Sequence, residues 1–226
     1  MTYTMLGTMI VLLLLGFPMM IPLLAATLIG FYFEFLGFDN SRFMVQQMVA
    51  GIKPASLIAI PMFILAADIM TKGRSAAKLI DMVMAYIGHY KGGLAVSTAT
   101  ACTLFGAVSG STQATVVAVG SPLRPKLAEN GYKDSFILSL IINSSGIALL
   151  IPPSIGMIIY GGISQTSISE LFIAGIGPGI LMLTLFSIYS VFFAAKHNVP
   201  TIKKASFRER LQVTKEALWP LGFPII

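Results

Sequence analysis

The chain is poor in cysteine, histidine and charged side chains. It has one cysteine, which excludes an internal disulfide and any zinc site built from several thiolates. Charged residues make up only 11% of its 226 residues, against roughly 25% in a typical soluble domain, while 56% are hydrophobic. A soluble fold of this size could not bury so much apolar surface. The composition therefore predicts an all-α, polytopic membrane protein.

The amino terminus also lacks the features of a cleaved secretory signal. No basic residue precedes the first apolar run, and that run is longer than the hydrophobic region of a signal peptide. The net charge of +6 comes from lysines and arginines that lie between apolar runs, a pattern typical of cytoplasmic loops rather than of a nucleic-acid surface. We therefore expect a lipid bilayer around the protein and no nucleic-acid partner.

Charge-poor runs alternate with charged segments along the chain. Residues 5–33 are uncharged and long enough for one tilted passage, which the glycine and prolines within it would bend. Residues 41–52 and 75–90 have the spacing of amphipathic helices. The remaining apolar runs are 54–70, 92–123, 136–169, 171–195 and 219–226. The polar segment 196–218 would then be a solvated connector between membrane segments.

Two of the long runs are interrupted by polar residues near their centres. Run 92–123 has serines, a threonine and a glutamine in its middle, and run 136–169 has Asn143 followed by a double proline. Unpaired backbone groups in hydrocarbon cost several kcal/mol each, so such breaks survive only inside protein or beside a cavity. In transporters, helix amino termini at a break attract anions, and free carbonyls coordinate sodium. The breaks therefore predict a binding site.

Each break predicts two half-helices. The first run would form a helix over 94–107 and a second helix that starts at Ser111 or Thr112. In the second run, the first half would end at Asn143. The double proline would open the other half, because proline suits the first turn of a helix, where its missing N–H is no loss.

Loop charges leave two topologies for 92–123. The basic residues of 124–134 and 196–215 fall on one side of the membrane, the cytoplasm by their charge, if the two intervening runs each cross once. A single crossing of 92–123 would put Lys91 on the opposite side. A re-entrant hairpin keeps Lys91 in the cytoplasm and explains a polar tip, so we favour the hairpin. The side of the amino terminus stays open, since it depends on whether 75–90 crosses.

The residue types at the breaks suit sodium better than protons. Hydroxyl, amide and carbonyl oxygens form a neutral site for a hard monovalent cation. Neither break contains Asp, Glu or His, which a proton relay would need, and no histidine lies within a span for an intramembrane serine protease.

The competing interpretation is helix packing, since Gly106 and Gly110, or Gly175 and Gly179, have the spacing of close helix contacts. We expect Asp68 to be an interfacial acid and both histidines to be surface residues.

Short motifs in a fixed order resemble one known family. They are Ile-Pro-Met-Phe-Ile-Leu-Ala at 60–66, Asp-Ile-Met at 68–70, Gly-His at 88–89, Gly-Gly-Leu-Ala at 92–95, Gly-Ala-Val-Ser-Gly-Ser at 106–111, Glu-Asn-Gly-Tyr at 129–132, Ile-Pro-Pro-Ser at 151–154, Ile-Tyr-Gly at 159–161 and Leu-Phe-Ile-Ala-Gly at 171–175. Together they resemble the amino-terminal half of the large membrane subunit of tripartite ATP-independent periplasmic (TRAP) transporters. Asp68 stands where that family often has Glu.

The resemblance implies an elevator-type transporter and the first of its two inverted repeats. Residues 1–90 would supply scaffold helices and an amphipathic arm. The transport-domain part would be 91–195, with the re-entrant hairpin at about 92–123, the broken helix at about 136–169 and a further helix at about 171–195. Residues 196–218 would form the cytoplasmic connector, and 219–226 would begin a truncated membrane segment. Family members are much longer, so we expect this chain alone not to transport.

The resemblance also implies a function and partners. The protein would be a secondary transporter of the bacterial inner membrane, not an enzyme, and would take up sialic acid or a C4-dicarboxylate with sodium. A periplasmic substrate-binding protein would deliver the substrate, and a small four-helix membrane subunit would brace the scaffold. The residues implied around sodium are Ser109, Ser111, Asn143, Ser144, Gly146 and Pro152. Those implied to face the carboxylate substrate are Ser111, Thr112, Pro153 and Ser154. The alternatives are a divalent-anion/sodium symporter that needs no binding protein, and an ion channel.

Overall fold

The computed structural model describes residues 2–35, 41–72 and 75–222. Within these ranges the chain is helical and has no strand, as the composition predicts. The helices are α1 (Thr2–Leu14), α2 (Met20–Phe35), α3 (Ser41–Gly51), α4 (Ala59–Lys72), α5 (Ser75–Ile87), α6 (Gly93–Ser109), α7 (Thr112–Glu129), α8 (Asp134–Ser145), α9 (Ile155–Ser164), α10 (Ile168–Lys196) and α11 (Phe207–Gly222). Two compact units, Met1–Pro54 and Ala55–Ile226, make up the chain.

In the first unit, α1 and α2 fold back on each other. The N–H groups of Gly16 and Phe17 donate to carbonyls in the last turn of α1 at 3.0 and 3.2 Å, in the pattern of a Schellman cap. Gly16 has a φ of 81°, which residues with a side chain rarely adopt. The reversal brings Met5 against Gly30. The expectation of a single bent passage over these residues is therefore wrong, because a glycine cap reverses the chain where a proline kink would only tilt it.

Helix α6 is the centre of the second unit. Most of its residues are buried, and α5, α7, α8 and α10 pack around it. The shared core includes Leu79 of α5, Phe105 of α6, Leu123 of α7 and Ile137 of α8. Tyr132, just after α7, interacts with the backbone of residue 95 near the start of α6, so α6 and α7 run antiparallel as a helical hairpin.

Small residues set the distances between these helices. A Cβ on Gly106 of α6 would lie 2.7 Å from the Cβ of Ala148, in the 3-10 turn Gly146–Leu149 that follows α8. On α10, a Cβ on Gly175 would collide with the carbonyl of Leu150. The stretch after α8 is therefore held between α6 and α10 by close backbone approach, the packing mode that small residues allow in membrane helices.

Helix α7 extends beyond the apolar run that predicted it. It continues to Glu129 despite Pro122 and Pro125, whereas we expected the chain to leave the helix at residue 123. Arg124 therefore lies on the helix and forms an exposed two-point ion pair with Asp134 at 3.0 Å. The apolar run predicts the end of α7 wrongly because it ends at the first charged residue, whereas the helical backbone continues through charged residues to Glu129.

The segment expected to be a solvated connector also contains a helix. Residues 197–206 are not helical, but α11 follows and packs against α5. The hydroxyl of Tyr86 and the Oγ1 of Thr214 are 3.0 Å apart, and the guanidinium carbon of Arg210 lies 5.6 Å from the centre of the Tyr86 ring. One face of this charged segment is therefore packed on protein instead of being solvated.

Only one helix in the described ranges, α10, is long and apolar enough to cross a bilayer by itself. Just 11% of its most apolar stretch is buried within the protein, so its surroundings must be lipid or other protein. The shorter apolar helices are Thr2–Leu14, Met20–Phe33, Ala59–Ile69, Gly93–Ser109, Asp134–Leu149 and Ile155–Ser164. Apolar segments that are broken or folded back give short helices of this kind.

Two glycines on α10 test whether close packing holds the second unit together. In the full-length protein, Gly175→Ala should lower the free energy of unfolding by about 1–3 kcal/mol, because the new methyl overpacks the contact with Leu150. Gly177→Ala has nothing within 4 Å and should be neutral or slightly stabilising. Thermal unfolding of the purified protein measures both. Equal melting temperatures for the two variants would refute the close approach.

Candidate ion and substrate site

The turn between α6 and α7 is built by a glycine and a serine. Gly110 closes α6 with a φ of 61°, and its N–H donates to Gly106 O at 2.8 Å. The Oγ of Ser111 then caps α7 by accepting from the N–H of Ala114 at 3.4 Å. A Cβ on Gly110 would be strained and would lie 2.9 Å from Pro153 O. Only glycine therefore fits here.

Two buried hydroxyls connect the two sides of this turn. The Oγ of Ser109 and the Oγ1 of Thr115 are 3.1 Å apart, and both residues are fully buried. Thr115 also donates to Ser111 O at 2.8 Å, and the N–H of Ser111 donates to the Oγ of Ser109 at 3.3 Å. Their oxygens form a compact cluster at the carboxyl end of α6 and the first turn of α7.

The second break lies between α8 and α9 and is held by Ser154. After the 3-10 turn, residues 150–153 are irregular and include a cis peptide bond before Pro153. The Oγ of Ser154 accepts from the N–H of Met157 at 3.3 Å, which caps α9, and donates to Leu149 O at 2.9 Å. A single hydroxyl thus ties the end of one half to the start of the other.

The two breaks meet in space. The N–H of Ile155, the first residue of α9, donates to Gly110 O at 3.3 Å. The amino termini of α7 and α9 therefore lie at the same place, close to the carboxyl end of α6. Each amino terminus carries roughly half a positive charge, and each carboxyl end roughly half a negative charge. The arrangement can hold an anion at the amino termini and a cation at the carbonyls and hydroxyls.

Two hydroxyl groups near this place have no partner within the described ranges. The Oγ of Ser144 is fully buried, and the Oγ1 of Thr112 is also shielded from solvent. Because Ile141 packs on Gly120 and α8 runs antiparallel to α7, Ser144 lies about one turn closer to the break, near the level of Val117 and roughly half a turn from Thr115. A buried hydroxyl without a partner costs about 1–3 kcal/mol, which a bound ligand would offset. Ser97 and Ser190 are unpartnered too, but they lie outside the breaks.

Hydrogen bonds and close approaches at the breaks involve Ser109, Ser111, Pro153 and Ser154, but not the side chain of Asn143. Its amide donates to Ser139 O at 2.7 Å and is exposed. It lines a separate pocket of about 300 Å³ that also includes Lys133 and Phe193. Neighbouring residues of a helix point about 100° apart, so Asn143 and Ser144 cannot both face the hairpin. The other predicted residues are at the meeting point of the breaks, beside it, or in the irregular stretch: Ser109, Ser111, Thr112, Ser144, Gly146, Pro152, Pro153 and Ser154.

Sequence reasoning missed Thr115 and the surroundings of Asp68. Thr115 lies four residues after Ser111, so the helical repeat could have placed both on one face. Asp68 lines a pocket of about 360 Å³ with Ser111 and Gln113 at the start of α7, although we expected only an interfacial acid. No local pattern could have indicated that contact, because α4 and α7 are far apart in sequence.

Paired short helices whose breaks meet within an apolar helical protein are typical of secondary membrane transporters. Over residues 6–226 the chain matches the family model described as the tripartite ATP-independent periplasmic transporter, DctM component, and it belongs to that family. It is therefore part of a membrane transporter permease and not an enzyme.

Several permeases named as parts of TRAP transporters are similar to the chain. It is 67% identical to the ectoine/5-hydroxyectoine TRAP transporter large permease protein UehC of Ruegeria pomeroyi, over 97% of the chain and 51% of that protein. It is 69% identical to the ectoine TRAP transporter large permease protein TeaC of Halomonas elongata, over 100% of the chain and 53% of that protein. The C4-dicarboxylate TRAP transporter large permease protein DctM of Pseudomonas aeruginosa is 37% identical over 83% of the chain and 44% of its own length. The chain thus spans about half the length of these relatives.

The cap at Ser154 can be tested by hydrogen exchange. Ser154→Ala should cost about 1–2 kcal/mol and increase exchange in the first turn of α9, because the N–H of Met157 and the Leu149 carbonyl both lose a partner. Ser187→Ala on α10, where the hydroxyl bonds only to a carbonyl of its own helix, should change stability by less than about 0.5 kcal/mol. Unchanged protection of Met157 in the Ser154 variant would contradict the bridge.

Proposed function

We propose that the full-length protein is the permease of a sodium-driven transporter that takes up ectoine or a closely related cyclic zwitterion. The observation that carries this proposal is the identity of 67–69% to two permeases named for ectoine, against 37% to one named for C4-dicarboxylates. It replaces the sialic acid or C4-dicarboxylate expected from the resemblance. Ectoine has a carboxylate on a ring with a delocalised positive charge, so the expected anionic group is retained.

The carboxylate would bind at the two amino termini that meet at the breaks. Ser111 and Thr112 begin α7, and Pro153 and Ser154 precede α9. Backbone N–H groups and the positive helix ends stabilise an anion without any basic side chain. The shielded hydroxyl of Thr112, which has no partner in the described part of the chain, would supply one hydrogen bond.

Sodium would bind beside the substrate, where carbonyls and hydroxyls are concentrated. Its oxygen ligands would come from Ser109, Ser111, Ser144, and the backbone of Gly146 and Pro152. The cluster is neutral and rich in oxygen, which suits a hard monovalent cation. Thr115 joins the set because its hydroxyl bonds to Ser109 and to the Ser111 carbonyl. Asn143 enters through its backbone carbonyl alone, because its amide is bonded elsewhere.

The mechanism we propose is an elevator in the bacterial inner membrane. Together with α5, the hairpin of α6 and α7, the broken pair α8 and α9, and α10 form one packed body, which would move as a whole. The hairpin would enter and leave from the cytoplasm, with residues 130–133 and 197–206 on that side. A periplasmic binding protein and a small four-helix membrane subunit would complete the transporter. A symporter without a binding protein, or a channel, is disfavoured by the family to which the chain belongs.

Uptake by the complete system tests this proposal. The full-length permease and its small partner would be reconstituted in proteoliposomes, with the binding protein and labelled ectoine outside. We expect uptake to require both the binding protein and an inward sodium gradient, and to exceed uptake of a C4-dicarboxylate at equal concentration. Uptake without the binding protein would indicate a simple symporter, and flux that ignores the gradient would indicate a channel. Preference for the dicarboxylate would indicate the second substrate class.

Ser144 tests the sodium site. Ser144→Ala should raise the sodium concentration for half-maximal uptake about tenfold or more, because a hydrogen bond or ligand contact to a charged group is worth about 1.5–3 kcal/mol. Ser135→Ala, an exposed serine on the same helix, should leave it unchanged. If Ser144→Ala melts at a higher temperature and keeps the wild-type sodium dependence, the serine is only a packing residue.

A further inference from the structure

The contact between α5 and α11 contains basic groups that lack acceptors. The Nε and Nη2 of Arg210 are shielded from solvent and have no hydrogen-bond partner among residues 2–35, 41–72 and 75–222. The Nδ1 of His89, in the turn after α5, is in the same condition. Burial, and then the nearby charges of Arg210 and Lys204, lower the pKa of His89 below its usual range, so these groups lie close together. Buried polar nitrogens normally have hydrogen-bond partners.

The acidic residues of α11 are engaged elsewhere. The carboxylate of Glu209 accepts from the N–H of Ser206 at 2.6 Å, and that of Glu216 accepts from the Nε2 of Gln212 at 3.2 Å. Around them lie further basic side chains, Lys203, Lys204, Arg208 and Lys215. Neither of these carboxylates bonds to Arg210, which leaves its guanidinium available to an anion from outside the described part of the chain.

The unpaired edge of Arg210 has a definite geometry. The Nε and Nη2 groups of a guanidinium point in parallel and bind two oxygens of one carboxylate or phosphate group. The Arg210 guanidinium is held in place over the ring of Tyr86, and Tyr86 is in turn bonded to Thr214. The fork is thus oriented before any ligand arrives.

An apolar stripe on the next face of α11 distinguishes a lipid from a free anion. Phe207, Leu211 and Leu218 are 82%, 47% and 60% exposed. At 100° per residue they fall within about 40° of each other on the helix, and about 60–100° around the helix from Arg210. Trp219, which is 81% exposed, adds the side chain most typical of a membrane interface. Apolar surface next to a phosphate fork suits a phospholipid, because acyl chains and headgroup are then both accommodated.

We propose that the contact between α5 and α11 binds an anionic phospholipid. Its phosphate is held by the Arg210 fork and by His89, and its acyl chains cover Phe207, Leu211 and Leu218. Lys203, Lys204 and Arg208 favour a lipid with net negative charge over a zwitterionic one. The bound lipid fixes α11 on the bilayer surface next to α5.

Native mass spectrometry of the full-length permease with its small partner tests the site. After removal of lipid, phosphatidylglycerol or phosphatidylcholine is added back, and the bound fraction of each is measured. The wild type should bind phosphatidylglycerol at least fivefold more tightly. Arg210→Gln should reduce this preference to less than twofold, whereas Arg208→Gln, an exposed arginine on the same helix, should keep at least half of it. Inorganic phosphate at millimolar concentration should not displace the lipid, since it cannot use the apolar stripe.

Leu211→Ser keeps the test informative if the Arg210 variant fails to fold. It leaves every charge in place and should weaken binding of phosphatidylglycerol at least threefold by removing an acyl-chain contact. The proposal is overturned if the wild type binds both lipids equally, if Arg210→Gln keeps the full preference, or if phosphate alone competes. A protein carboxylate found on the Arg210 fork in the complete transporter would likewise overturn it.

Discussion

The structure depends on how the broken helices satisfy their backbone groups. Every helix end leaves N–H and C=O groups without partners, and apolar surroundings offer no water to replace them. Here the two breaks are joined by a hydrogen bond from the N–H of Ile155 to Gly110 O. Within each break, a serine hydroxyl caps the helix that follows: Ser111 caps α7 and Ser154 caps α9. These bonds are short-range, so they require the close approach that Gly106 and Gly175 permit. Packing by small residues is therefore a condition for having a site at all.

Local chemistry made the breaks predictable from sequence. Helix α7 starts at Thr112, as the sequence predicts. The prediction that the double proline opens the second half-helix is wrong, because Pro152 and Pro153 lie in the irregular stretch and α9 starts at Ile155, after the cap at Ser154. The helical class and the family also followed, since composition and motif order are properties of the sequence itself.

Features that depend on contacts between distant segments could not be predicted. The sequence predicts a kink where α1 and α2 reverse, because a Schellman cap and a bend share the same glycine and proline signals. Asn143 was grouped with Ser144, although adjacent helical residues face different neighbours and only the fold decides which one points at the hairpin. The packing of α11 on α5 depends on an aromatic ring more than a hundred residues away in sequence, which no local periodicity reveals.

The bond between Gly110 and Ile155 also has a thermodynamic consequence. It joins the segment that presents hydroxyls and carbonyls to the segment that presents helix amino termini, so neither can be ordered or displaced independently of the other. Two ligands that share such a backbone influence each other through it. Linkage makes this influence symmetric: whatever factor a cation adds to the affinity for an anion, the anion adds to the affinity for the cation. Any two ligands bound at these two segments would therefore be thermodynamically linked through this one backbone hydrogen bond.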